Sequence, residues 1–372
     1  MTPRSANRVA VYHSNCDIRL DTRATPAIGP GELLLEVHAS GICGSDLMEW
    51  YRRPRAPTVL GHEVAGRVVA AGEAVDGLKL GDRIVATHHV PCGVCRYCVR
   101  GHETVCDMLR RTAFDPGGFA DYIRLQPENV QRGVLQLPPH VSDDAGAMVE
   151  PLACVLRAQR KAGIGRGESV LVIGAGVSGS LHILAAKTRG ASPVFVTDVQ
   201  PERRNFAARL GADRVLDAAA DVAHLIGAEL GRGVDHVIVC TGAPAAIATS
   251  LAAVDQGGTV SFFAPMGPAE CYPLPFNGVF WQRDVTLTSS YGGAPRDLRE
   301  ALTLIANGQI DVGQLVTHRL QLSQVQAGFE MMLRGGECLK IMVDPRLDGR
   351  RAVSAQQIHA PPAVPARAQA NS

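Results

Sequence analysis

The first third of the chain alternates short apolar runs with glycine-rich turns. "GELLLEVH" (31–38) and "EVAGRVVAA" (63–71) are apolar stretches of strand length bounded by glycines, and they predict two strands. Turn signals at Gly81-Asp82 and Pro116-Gly117-Gly118 recur to about residue 130, so this section reads as mostly β with loops. At Pro151 the texture changes. "PLACVLRAQRKAG" carries apolar residues at helical spacing and stops at Gly163; proline suits a first helical turn and glycine a C-terminal cap.

"SVLVIGAGVSGSLHILAAKTRGA" then predicts a strand at 169–173, a glycine turn and a helix. "PVFVTD", "HVIVCTG" and "GTVSFFAP" follow as further apolar runs separated by helical segments. Continuous apolar strands alternating with helices predict an α/β fold with a parallel, doubly wound sheet covered on both faces. Residues 297–306 and 323–334 predict two more helices and "CLKIMVDP" a closing strand. The pattern leaves open whether these last elements return to the first section. There are no internal repeats.

Composition bounds the function. The 372 residues suit two domains, and 37 basic against 36 acidic residues give no overall basic field for nucleic acid or anionic membrane. No run approaches the roughly eighteen apolar residues of a membrane span, and Met1–Ala10 lacks the apolar core of a signal peptide; a cytoplasmic location is expected. There, ten cysteines are expected to be thiols or thiolate ligands. Residues 349–372 are rich in Ala, Pro and Gln without an apolar period, and predict a disordered tail.

Three constellations carry candidate chemistry. Gly174-Ala175-Gly176-Val177-Ser178-Gly179 fits G-x-G-x-x-G between the strand and the helix. The first glycine permits a tight turn, the second lets backbone approach a pyrophosphate, the third lets helix pack on strand, and the helix N-terminus offers free N–H groups. Asp198 ends the next strand, where a carboxylate binds adenosine ribose hydroxyls and repels a 2′-phosphate; this favours NAD over NADP. Arg203 can flank the adenine or turn to a phosphate. The second constellation is Cys92, Cys95, Cys98 and Cys106, spaced C-x2-C-x2-C-x7-C. Four thiolates at about 2.3 Å close a tetrahedral zinc site without an open position; an iron–sulfur cluster is the rival use of four cysteines, and a zinc-ribbon nucleic-acid module is a remote one. The third is dispersed. Cys43, His62 and Glu63 offer a thiolate, an imidazole and a carboxylate, the composition of a catalytic zinc site with three protein ligands and a water. Glu150, where a loop enters the Pro151 helix, is available as a fourth ligand or as partner of the water. Taken singly, Cys43 reads as buried packing and His62-Glu63 as a strand start.

Beyond these readings, "GICGSD", "GHEVAGRVV", "GDRIV", the four-cysteine lobe, "GGFADY", "EPLACVL", "GAGVSG" and "CLKIMV" fall in order from about residue 9 to 345. In them the chain resembles the zinc-dependent medium-chain dehydrogenases, and among these the sorbitol, L-idonate and L-threonine dehydrogenase subgroup. The resemblance implies a catalytic domain with a GroES-like β-barrel (1–155, with a structural-zinc lobe at about 90–110), a Rossmann domain (156–296), a return to the catalytic domain (297–348) and the tail. It implies two zinc ions per chain and NAD as cofactor. Cys43, His62 and Glu63 would ligate the catalytic zinc, with Glu150 ligating it or hydrogen-bonding its water. Asp46 would orient His62, and Ser45 would take the hydroxyl proton as a secondary alcohol is oxidised to a ketone through a zinc-bound alkoxide and hydride transfer. Val177, Ser178, Ser289 and Ser290 match positions that face the cofactor in such enzymes. The substrate would be a polyol, cyclitol or sugar-derived alcohol; alternatives are a phosphorylated or acidic sugar alcohol and an amino alcohol such as L-threonine. A homodimer or homotetramer is expected by likeness alone.

Two positions depart from the family pattern. Met48 stands where many relatives carry a relay histidine, so the pH profile is expected to lack a histidine-like limb. Gly292 stands where sorbitol-type enzymes carry an arginine, which counts against sorbitol. "YRRPRAP" (51–57) lies between ligands Cys43 and His62, and either is a solvated loop or brings Arg52, Arg53 or Arg55 to an anionic group. Phe114 and Trp281 are candidates to line the cleft.

Overall fold

The computed structural model describes residues 3–349. The predicted tail, past its first residue, lies outside the described residues.

Six parallel strands form one sheet. In chain order they are Val170–Ile173, Val194–Asp198, Arg214–Asp217, Val234–Val239, Val254–Phe262 and Thr286–Ser289. Numbered by that order they lie 3-2-1-4-5-6 across the sheet, the doubly wound arrangement whose switch point opens beside the first strand. The apolar runs follow from burial on both faces. Val170 and Val172 join one apolar cluster with Leu152, Leu156, Leu181 and Ile183, while Leu171 and Ile173 join another with Val222, Ile226, Val237 and Ile247. Alternate side chains of one strand therefore serve opposite layers of helices.

The first section folds into a mixed sheet. Leu33–Gly41 pairs antiparallel with Glu63–Ala71, which pairs with Arg83–Thr87, which pairs with Val134–Gln136. The closing strand Lys340–Val343 pairs antiparallel with Ser40 and Gly41 and parallel with Val316–Leu320. The end of the chain thus completes the sheet that its beginning starts, which local periodicity left open.

Helix Val149–Ala162 links the two sheets. One apolar cluster runs from Ala39, Ala65 and Val85 through Val149, Leu152 and Leu156 to Val170 and Val172, so a single core seats the sheets against each other. The helix begins two residues earlier than the proline suggested: Met148 is already right-handed, directly after helix Asp143–Ala147. Proline fits inside a first turn because N–H groups there have no partner within the helix. Glu150 therefore sits in the first helical turn and not in the preceding loop. Gly163 ends the helix at φ +82°, a left-handed position glycine adopts without steric cost.

Candidate metal centre and cofactor cleft

The Cys43 loop leaves the first sheet at Gly41 and turns through Gly44–Leu47. Asp46 makes the turn: its Oδ2 accepts the Cys43 N–H at 3.1 Å, and its Oδ1 lies 3.4 Å from His62 Nδ1. That contact leaves His62 Nε2 as the nitrogen available to a metal. Burial disfavours charge on Asp46, but His62, Arg52 and the Cys43 N–H together hold its carboxyl below the usual range. The Ser45 hydroxyl lies 3.4 Å from Cys43 Sγ. Ligand atoms of Cys43, His62 and Glu63 all lie within 4.8 Å of one another. A thiolate, an imidazole and a carboxylate so close, two partly exposed and one buried, suit zinc with a position left open.

Glu63 is held from the far end of the chain. Lys340 forms a fully buried ion pair with it and donates to the Ile42 carbonyl at 3.0 Å. The carboxylate occupies space that only glycine leaves at position 41, where a Cβ would lie 1.9 Å from Glu63 Oε2. Glu150 stands outside the mutual 4.8 Å of the three donors among the described residues. It nonetheless feels the charges of His62, Glu63 and Lys340, while burial, foremost, raises its pKa. It also accepts from the Cys154 thiol at 3.6 Å.

The four clustered cysteines come together as spaced. All four sulfurs lie within 4.8 Å, with Cys95 to Cys98 at 3.5 Å and Cys92 to Cys98 at 3.9 Å. The edge of a tetrahedron with 2.3 Å metal–sulfur bonds is about 3.8 Å, and none of the four is in a disulfide. The Val94 and Cys95 N–H groups pull the Cys92 thiol down to about 6, toward the thiolate a metal binds. Apart from the cysteines, the lobe's apolar cluster holds only Leu109 and Met108. Buried Arg157, on the Glu150 helix, ties the lobe down through Glu103 at 3.1 Å and Thr104 at 3.3 Å.

The glycine loop has the shape of a phosphate cradle. Gly174 is left-handed at φ +96°, and a Cβ on Gly179 would lie 1.8 Å from the Gly174 carbonyl oxygen, so both must be glycine. Over Gly176 the nearest neighbour of a Cβ would be Arg203 Nη1 at 4.0 Å. That opening admits a pyrophosphate beside the first turn of helix Val177–Arg189, whose leading residues are Val177 and Ser178. The Asp198 carboxylate accepts the N–H groups of Ala175 and Gln200, both at 2.8 Å. Each oxygen keeps lone pairs for ribose hydroxyls. Ser289 ends the last parallel strand, and the hydroxyl of Ser290 is buried without a partner among the described residues.

Several wall residues escaped the sequence reading. His88 stacks between His62 (ring centroids 5.0 Å apart) and His89 (3.7 Å), and Phe114 packs on His88 at 6.0 Å. Tyr291, from the parallel-sheet side, faces His89 at 6.4 Å. Trp281 is instead 70% exposed among other apolar surface residues. Burial drives His88 well below its ordinary pKa and His89 down to about 4, with His62 and Arg52 adding to the effect at both. Both imidazoles are neutral near pH 7, so neither replaces a relay histidine that titrates there. The pH profile of kcat is therefore expected to show no limb near 6.5, and Met48→His to introduce one, the rate falling up to about tenfold per pH unit below it. Identical profiles for the two proteins would contradict this.

Comparison with known proteins places the fold. Residues 29–138 match the alcohol dehydrogenase GroES-like domain, and residues 178–307 match the zinc-binding dehydrogenase domain. The chain belongs to the zinc-dependent medium-chain dehydrogenase family, with a GroES-like domain and a Rossmann-like parallel sheet. It is 31% identical to the sorbitol dehydrogenase of Bacillus subtilis (strain 168), over 91% of this chain and 97% of that one. It is 34% identical to the L-threonine 3-dehydrogenase of Pyrococcus furiosus, over 85% and 92%. A zinc-binding dehydrogenase from Sinorhizobium meliloti 1021, solved bound to NADP, superposes with a TM-score of 0.83 at 29% identity, covering 92% of this chain and all of that one. The chain is thus an oxidoreductase of the alcohol dehydrogenase type. Among the described residues no helix is long and apolar enough to cross a membrane.

Proposed function

We propose that the protein is a zinc-dependent NAD(H) oxidoreductase that oxidises a secondary alcohol to a ketone. The observation that carries this reading is the meeting of Cys43, His62 and Glu63 with the Ser45 hydroxyl 3.4 Å from the Cys43 sulfur. When bound, zinc supplies a Lewis acid that makes an alcohol hydroxyl acidic, and the nicotinamide supplies the hydride acceptor. The chain's own groups do the rest. Ser45 Oγ accepts the hydroxyl proton as it passes its own outward through cofactor hydroxyls and water. Asp46 fixes the His62 ring, Lys340 steadies the Glu63 carboxylate, and Glu150 closes the buried side as ligand or as hydrogen-bond partner of a water. Gly174, Gly176 and Gly179 cradle the pyrophosphate, Arg203 lies beside it, and Val177, Ser178, Ser289 and Ser290 line the cofactor's path. Asp198 supports NAD over NADP.

A second zinc in Cys92, Cys95, Cys98 and Cys106 is read as structural. Domain limits of 1–155, 156–296 and 297–348, a cytoplasmic location and a homo-oligomeric assembly belong to the same proposal. The substrate is read as a polyol, cyclitol or sugar-derived alcohol; the 34% identity to an L-threonine 3-dehydrogenase favours an amino alcohol as second reading. The test is the initial rate of NAD+ and NADP+ reduction over polyols, cyclitols, amino alcohols, hydroxy acids and sugar phosphates. At least one secondary alcohol should be oxidised, with kcat/KM for NAD+ at least about tenfold above that for NADP+, since a carboxylate facing a 2′-phosphate costs more than about 1.4 kcal/mol. Failure to reduce either nucleotide with any alcohol would overturn the proposal.

A further inference from the structure

Of the three arginines at 52, 53 and 55, one turns inward. Arg52 Nη2 donates to the Ser45 hydroxyl at 3.0 Å and to Asp46 Oδ1 at 3.1 Å, and its Nε donates to the Ser45 carbonyl at 3.0 Å. These bonds hold the guanidinium beside the metal donors with its side chain only 17% exposed. Its Nη1 has no partner among the described residues and is not closed off from solvent. Tyr51 supports the guanidinium from one side, its ring 4.8 Å from Arg52 Cζ and 4.5 Å from Arg55 Cζ. Arg53 and Arg55 are exposed. Among the described residues Asp46 is the one carboxylate paired with any of the three, and His62 shares it. On the other side of the shared His62, His88 stacks on that ring and its buried Nδ1 has no partner among the described residues.

From this geometry we propose that Arg52 is a specificity-determining residue and that the substrate is a hydroxy acid, with its carboxylate on the carbon next to the carbinol or one further away. The inference rests on the dehydrogenase reading above. An alcohol oxygen served by Ser45 lies within two hydrogen bonds of Arg52, which fixes the short spacing. With Nε and Nη2 already engaged, the free Nη1 can donate a charge-assisted hydrogen bond to one oxygen of a carboxylate. A phosphate dianion calls for more positive charge than one arginine already shared with Asp46 provides. Positioned by three bonds before substrate arrives, Arg52 loses little side-chain freedom on binding.

The test uses the full-length, zinc-loaded protein and compounds of one carbon skeleton: threitol, threonate and threitol 1-phosphate, each as both enantiomers. The kcat/KM for threonate should exceed those for threitol and the phosphate. Arg52→Gln should lower the threonate-to-threitol ratio roughly tenfold to a hundredfold, mainly through KM, the range for loss of a charge-assisted hydrogen bond; Arg52→Lys should recover part of it. An equal fall for threonate and threitol would overturn the proposal, leaving Arg52 to serve Ser45 alone. Preference for the phosphate would overturn the carboxylate assignment. A second arm is independent of turnover: calorimetric titration of the NADH-bound protein with oxamate. Binding by wild type that weakens at least tenfold in Arg52→Gln supports the proposal; no binding by wild type, or equal binding, refutes it. If no alcohol is oxidised at all, the dehydrogenase reading fails, while the oxamate arm still decides the role of Arg52.

Discussion

His62→Ala is expected to lower kcat/KM by at least about a thousandfold while the protein stays folded and binds NADH. Lewis-acid activation of an alcohol contributes several kcal/mol, and about 4 kcal/mol corresponds to a factor of a thousand. Removing the imidazole takes away one of three protein donors, and it leaves the buried Asp46 carboxylate with Arg52 and the Cys43 N–H. The fold has little at stake: His62 lies outside the apolar clusters that join the two sheets. Steady-state kinetics beside NADH fluorescence titration read both halves of the expectation. Retained turnover would remove the donor set from the chemistry.

Cys95→Ser should have the opposite signature. The 92–111 lobe has short helices, Arg96–Val99 and Asp107–Arg111, and an apolar cluster too small to fold on its own without a metal or cross-link. Loss of one thiolate should therefore loosen the lobe and lower Tm by on the order of 10 °C, the equivalent of a few kcal/mol for a domain of this size. Because Arg157 joins the lobe to the helix that carries Glu150, a modest loss of rate should follow at assay temperature. Differential scanning calorimetry with kcat at a low temperature separates the two effects. Unchanged melting with abolished turnover would show that the cluster is catalytic and not structural.

What was legible in the sequence was what is local. The glycine loop announces itself because three positions within six residues each meet a separate steric demand. The cysteine lobe does so because its donors lie within fifteen residues, and the parallel strands because burial on both faces removes polar residues from them. Cys43, His62 and Glu63 were reached partly by chemistry and chiefly through the family resemblance, since residues nineteen or twenty apart carry no periodic signal of convergence. Contacts across the chain were not legible. Lys340 meets Glu63 from 277 residues away, and nothing near either residue marks the pairing, although the lysine in an otherwise apolar strand, "LKIMV", was an unused hint. The loop at 51–57 showed three arginines without showing which one turns inward; that depends on the turn at Met48 and on the acceptors offered by Ser45 and Asp46. His88 and His89 follow a strand directly, and only the pairing of that strand, Thr87 opposite Glu63, brings them against His62.

The central claim is that one metal performs the chemistry and another holds a lobe together. Metal content by mass spectrometry of the purified wild type, His62→Ala and Cys95→Ser proteins tests it most directly. The expected result is two zinc ions per wild-type chain and one in each variant, with turnover lost in the first variant and thermal stability in the second. A single zinc per wild-type chain, or loss of the same ion from both variants, would contradict the account.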